Sequence, residues 1–222
     1  LIVVGEAAVP QDATGIRITP NPLTAGDIEE LLAATLPHHS GSWPAVIATI
    51  FDHSGGNALH VTQALRLLAE GGSEIESSLT DLIVTRIGRL PTEALRLLQI
   101  LCTLGVRAPT DLAYRLLEVP DSGPGALRLL ARRGFVTLEP SNLVRVAHPR
   151  FVDCVREAMP AEKRRALHAQ VYQRLYRAGA PSILLARHAD EARLGEDTLA
   201  VLVSAGEWAE GHLDDADAAL YY

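Results

Sequence analysis

Residues 143–168 read LVRVAHPRFVDCVREAMPAEKRRALH, and the fold turns on how this stretch divides. Residues 143–147 alternate as a short half-buried strand does. The strand runs straight into His148-Pro149. Proline suits the first position of a helix, because its missing N–H is one the helix leaves unpaired anyway. A helix to Met159 is expected, after which Pro160 opens a second, strongly charged one carrying Lys163, Arg164, Arg165 and His168. His148 therefore stands at a strand-to-helix junction, beside backbone N–H groups that favour an anion. It is either a structural cap or one wall of a phosphate site, and spacing alone leaves both readings open.

Working outward, residues 135–138 read as the partner strand, joined to 143–147 across Glu139-Pro140-Ser141-Asn142, which makes a two-stranded hairpin. Gly134 ends a helix that begins after the turn Asp121-Ser122-Gly123-Pro124, and Pro109 opens a shorter helix to Val119. Residues 91–104 are amphipathic, with Ala94, Leu97, Leu98 and Leu101 inward. Three helices followed by a hairpin is the order of a winged helix-turn-helix, here over residues 91–159. Its third helix carries Arg128, Arg132 and Arg133, which would contact either DNA or a neighbouring domain.

Residues 23–90 read as a helical bundle. Thr24 caps the first helix with Asp27 in the reciprocal position of a capping box, and Ile28, Leu31, Leu32 and Leu36 form its apolar face. Residues 42–54 form a second helix with Trp43, Ile47, Ile50 and Phe51 inward, ended by Gly55-Gly56. Asn57 starts a third, and residues 78–90 form a fourth that Pro91 halts. Residues 1–22 hold an apolar strand, residues 1–4, and a linker. From 160 to 222 the chain is all helix, with expected elements near 160–178, 182–193 and 197–211. Ala205, Ala209, Ala216 and Ala219 suit tightly stacked, antiparallel helix pairs of the tetratricopeptide kind. The expected fold class is thus mainly α: a helical bundle, a winged helix with a small hairpin, then repeat-like helices.

Aromatic residues make up only 5 % of the chain, so Leu, Ala and Val must fill the core. The net charge of −7 opposes a broad phosphate-neutralising footprint. Two cysteines, Cys102 and Cys154, are too few for a disulfide framework and read as small buried hydrophobes. No signal peptide or membrane-spanning run is evident, which points to a cytoplasmic location. The chain opens without methionine and stops inside an apparent helix, so it reads as an excised segment. No GxxxxGK[ST] loop, GxSxG elbow or paired metal-ligand spacing is present, and His38-His39 reads as a solvated loop pair. No catalytic residue and no metal ligand is assigned.

Several motifs in order carry a resemblance: Pro22-Leu23-Thr24, FDHSGGNALHV over 51–61, SLTDLIVTRIGRLP over 78–91, RVAHPRFVDCV over 145–155, PAEKRRALH over 160–168 and LLARHADEA over 184–192. Together they resemble the large LuxR-type, MalT-like transcriptional regulators of the STAND class of AAA ATPases. The resemblance implies that residues 1–22 close a nucleotide-binding core and that 23–90 form its lid. It implies that 91–159 form a winged helix facing nucleotide, and that 160–222 begin a helical sensor. Gly56-Asn57-Ala58 match the family's Gly-Asn-Pro, with alanine in place of the proline that lines the base. His148 matches the winged-helix histidine that reaches the diphosphate and holds the resting state. Gly5-Glu6-Ala7 stand where relatives often carry arginine, and a carboxylate there repels phosphate.

The implied cofactor is ATP/ADP, with Mg in the full-length protein and none held by this segment alone. The full-length protein would be a slow ATPase. The implied partners are the upstream core and downstream sensor and output domains of the same chain, and a protein or small-molecule inducer. DNA would be met only through a domain outside this segment. Two alternatives remain: a nucleotide-independent interaction scaffold, and the same module fused to an adenylate cyclase or protein kinase.

Overall fold

The computed structural model describes residues 20–37, 43–75, 78–105 and 107–212. The strand expected at 1–4, Glu6, the His38-His39 pair, Ala216 and Ala219 lie outside the described residues. Within them the chain is mainly helical, with eleven α-helices and one three-stranded antiparallel sheet.

The first four helices are α1 (Ala25–Thr35), α2 (Trp43–Ser54), α3 (Ala58–Ala69) and α4 (Leu79–Gly88). Both arms of the α1 capping box form: the Thr24 N–H donates to Asp27 Oδ2 at 2.7 Å, and the Asp27 N–H donates to Thr24 Oγ1 at 3.2 Å. The Thr24 N–H and hydroxyl, both donating to Asp27 Oδ2, hold the Asp27 carboxyl below its usual range. Ile28 and Leu32 of α1, Ile50 of α2 and Val61 and Leu65 of α3 meet in one core, which Leu82 of α4 completes. Leu31 and Phe51, expected inward, are 40 % and 39 % exposed. Each short helix buries a narrow seam, Ile28/Leu32 or Ile47/Ile50, and Leu31 and Phe51 lie on the flanks of those seams.

Next come α5 (Thr92–Leu104), β1 (Arg107–Pro109), α6 (Thr110–Tyr114), a 3₁₀ turn (Pro120–Ser122), α7 (Gly123–Arg132), β2 (Val136–Glu139), β3 (Leu143–Val146) and α8 (Pro149–Ala158). The sheet order is β1-β3-β2, with Ala108 opposite Val144 and Val136 opposite Val146. The two-stranded hairpin of the sequence reading is thus corrected to three strands. A three-residue strand is too short to show alternation, and Pro109 disguises it as a helix start. It is fixed from afar instead: the Thr110 N–H and Oγ1 both donate to the Asn142 carbonyl, at 2.9 and 3.1 Å. The helix expected to run from Pro109 to Val119 accordingly starts one residue later and stops at Tyr114.

Phe135 and Phe151 pack with ring centroids 5.3 Å apart in a second core, with Leu97, Leu101, Leu130 and Val144. Cys102 and Cys154 are buried there as free thiols, and burial pushes Cys102 up to about 12. Ile83 and Ile87 of α4 also enter this core, so α4 serves both. The last helices are α9 (Ala161–Arg177), α10 (Ser182–Ala192) and α11 (Glu196–His212). Leu167 and Val171 of α9 close the second core, while Tyr172, Leu185 and Ala189 form a third, smaller one between α9 and α10.

Where α3, α4 and α7 end together, arginines meet their last carbonyls. Arg66 and Arg86 donate to the Arg133 carbonyl at 3.0 and 2.7 Å. Arg133 donates to the Arg89 carbonyl and Arg89 to the Glu70 carbonyl, each at 3.0 Å. Cations at helix C-termini satisfy orphan acceptors and oppose the negative end of the macrodipole. Arg86 is the centre: it is 0 % exposed, pairs with Glu70 at 2.5 Å, donates to Gln63 Oε1, and stacks 4.6 Å from the Phe135 ring centroid. Burial pulls the guanidinium below its ordinary value and Glu70 opposes that shift. Gly134 is required beside it, because its φ is +70° and an added Cβ would land on the Arg66 guanidinium.

Candidate functional site

His148 sits where β3 hands over to α8, with backbone still extended at φ −151° and ψ 141°. Its Nδ1 accepts the Arg150 N–H at 3.1 Å, so the imidazole does the work usually done by Ser, Asp or Asn at an N-cap. Pro149 has no N–H to satisfy. An Nδ1 that accepts must be unprotonated, which places the neutral ring's proton on Nε2. The ring is half-buried, edge-on to Phe151 with centroids 6.4 Å apart. No described residue takes up Nε2. Cap and ligand are therefore compatible roles, because they use different ring nitrogens.

Arg150 in the first turn of α8 donates to Thr80 Oγ1 at 2.9 Å, in the first turn of α4. Two helix N-termini are thereby tied together, and their unpaired N–H groups create a positive local field. Ser78 ahead of α4 makes no capping hydrogen bond from its side chain. Arg150 of α8 thus reaches a helix start that has no side-chain cap among the described residues.

The Gly56-Asn57-Ala58 segment is built by close approach. Gly55 and Gly56 have φ of +56° and +77°, the left-handed region that ends α2. Gly56 is buried, and a Cβ there would run into the Leu23 carbonyl and the Pro22 ring. The Leu23 N–H donates to the Gly56 carbonyl at 2.9 Å. Asn57 Oδ1 accepts the His60 N–H at 3.0 Å and caps α3, while Asn57 and Ala58 themselves face solvent. No described hydrogen bond or ring contact joins this segment directly to His148. They are linked through α4, which packs on both α3 and α8.

Arg128 and Arg132 are exposed on α7, whereas Arg133 is held as the C-cap of α7 by the arginine junction. Two features escaped the sequence. Arg86 looks like any charged residue of an amphipathic helix, and no local signal reveals its burial. His168 and His188 are both buried, with Nδ1 atoms 3.2 Å apart, and burial pushes each down to about 4. Arg187 and Arg164 reinforce the shift at His168, and Arg187 reinforces it at His188. Both rings are therefore neutral near pH 7, one donating and one accepting. Among the described residues, no three His, Cys, Asp or Glu side chains gather as a metal site, and no helix is long and apolar enough to cross a membrane. Compared with protein-family models and with curated proteins, the chain matches none of them.

Proposed function

We propose that this chain is the regulatory module of an ATP/ADP-gated signal-transduction ATPase that resembles the LuxR-type transcriptional regulators. In this reading α1–α4 are the lid, α5 to α8 the winged helix, and α9–α11 the start of a tetratricopeptide-like sensor. The strand β1 favours it: helix, strand, two helices, then a hairpin with β1 on the outer side of β3 is the winged-helix order. The observation that carries the nucleotide role is the division of labour at His148. Nδ1 caps α8, Nε2 is left as a donor at that helix start, and Arg150 ties the same start to the first turn of α4.

The mechanism is a population shift. In the closed form the His148 Nε2–H would donate to a phosphate oxygen of ADP, and the lid and winged helix would hold the nucleotide against the upstream core. ATP together with a signal on α9–α11 favours the open form. Magnesium and the phosphate loop would come from the core, and the output domain from elsewhere in the cytoplasmic full-length protein. Arg133 is committed to the helix junction, which favours an interdomain face over DNA reading for the third winged-helix segment. In the full-length protein, His148→Ala should weaken ADP binding or make reporter output constitutive. Unchanged affinity together with unchanged output would remove the proposal.

A second reading, a nucleotide-independent interaction scaffold, is favoured by one observation. Tyr176, Leu184, Leu199 and Val203 of α9–α11 are 64 %, 55 %, 66 % and 39 % exposed. Calorimetry with ADP on the intact protein and on its His148→Asn variant separates the two, since in a scaffold the substitution leaves ADP binding unchanged.

A further inference from the structure

A cleft of about 310 Å³ opens between α5, the segment after α6, and α9. Arg96, Arg115, Arg174 and Arg177 line it, with Gln170 beside them and Glu118 as the single carboxylate. Three excess positive charges converge there in a chain whose net charge is −7. None of the four arginines takes part in an ion pair among the described residues. Their internal contacts are sparse: Arg174 donates to the Arg115 carbonyl at 3.2 Å, and Arg96 reaches Gln170 Oε1 only at 3.5 Å. The Arg96 Nε is shut off from solvent with no described hydrogen-bond partner. Clustered like charges are costly, and an anion in the cleft relieves that repulsion.

A second groove shows the contrast. Arg164, Arg165 and Arg193 line it with Asp190 and Glu191, and Arg164 lies 4.0 Å from Glu191. Its charges are nearly balanced from within, and it calls for no ligand.

We infer that the arginine cleft is a binding site for a small ligand carrying at least two phosphate groups. Guanidinium forks match phosphate oxygens bidentately, and several forks around one cavity suit a compact polyanion better than a single carboxylate. The volume lies at the small end of ligand pockets, which fits a di- or triphosphate rather than a polymer. The inference does not rest on the nucleotide reading of His148, since no residue is shared. A ligand here would bridge α5 of the second core to α9, and would stiffen the joint that leads into α10 and α11.

The test titrates the 222-residue chain with inorganic tripolyphosphate, ADP and citrate by calorimetry at about 150 mM salt. Saturable one-to-one binding of tripolyphosphate or ADP is expected, and the tighter of the two identifies inorganic or nucleotide phosphate as the source. Arg174→Gln/Arg177→Gln changes exposed side chains and should weaken binding at least about tenfold, the loss of one charge-assisted hydrogen bond. Arg128→Gln/Arg132→Gln removes the same charge from α7 and should leave tripolyphosphate affinity unchanged. Absence of saturable binding, equal weakening by the α7 pair, or citrate binding as tightly as tripolyphosphate would overturn the inference.

Discussion

Replacing Arg86 with methionine is the sharpest perturbation of the fold, because the side chain is 0 % exposed and joins three helices. The variant loses the bond to the Arg133 carbonyl, the bond to Gln63 and the cation over Phe135. It also strands Glu70, whose side chain is only 10 % exposed and whose Oε2 already lacks a described partner. Removing one member of a buried pair costs about 3–5 kcal/mol, most of it for the charge left behind. Glu70 keeps slight access to water, and methionine refills part of the volume, so a loss of about 3–4 kcal/mol is expected. Glu70→Gln alone should cost about 2–3 kcal/mol, since it leaves the guanidinium buried and uncompensated. The double variant should be less destabilised than the sum by about 2 kcal/mol, the coupling of a directly bonded pair. Urea unfolding of all four proteins, followed by far-ultraviolet circular dichroism, measures the cycle. An Arg86→Met cost below about 1 kcal/mol, or additivity within about 0.3 kcal/mol, refutes the reasoning.

Other outcomes follow from the same geometry. Gly134→Ala should cost about 2–3 kcal/mol, by forcing a left-handed non-glycine residue and displacing Arg66 from the Arg133 carbonyl; a thermal melt that does not move contradicts it. The His168–His188 pair predicts acid sensitivity. Both folded values lie near 4, below the ordinary 6.5, so the unfolded chain takes up protons first. Stability is then full above about pH 6.5 and falls as pH drops towards 4, by at most about 1.4 kcal/mol per pH unit for each histidine. Unfolding free energies at several pH values should show this slope in the parent chain and a shallower one in His168→Leu/His188→Leu; equal slopes would sink the assignment. Arg187, Arg164 and Arg156 face His168, and Glu191 opposes them only at His188, so the environment is hostile to a second proton.

What the sequence disclosed is what nearest neighbours decide. Thr24 with Asp27, Gly55-Gly56 before Asn57, Gly134 and Pro149 are local punctuation, and each marks a real helix end. The long apolar period of α5 likewise identified Ala94, Leu97, Leu98 and Leu101 as buried. What it concealed depends on distant partners. β1 exists because Arg107–Pro109 lies against Leu143–Arg145 across the sheet. Arg86 is buried because Gln63, Glu70 and Arg133 converge on it from 23, 16 and 47 residues away. The histidine pair joins positions 20 apart on two helices. Of the candidate site, the sequence marked His148 and its helix start, but not the Arg150–Thr80 tie or the ring nitrogen that each role uses. Gly56-Asn57-Ala58 stood out through resemblance, and its local reason, the approach of Pro22 and Leu23, is a contact between segments.

The central claim is that His148 has two functions on two nitrogens. Asparagine is an effective N-cap but has no counterpart of Nε2. Calorimetric titration of the intact protein with ADP, comparing the parent with His148→Asn, therefore separates the functions. The account predicts an unchanged melting temperature with ADP affinity reduced at least about tenfold, equivalent to roughly 1.4 kcal/mol. Parent-like ADP affinity in His148→Asn would contradict it and leave His148 as a cap alone.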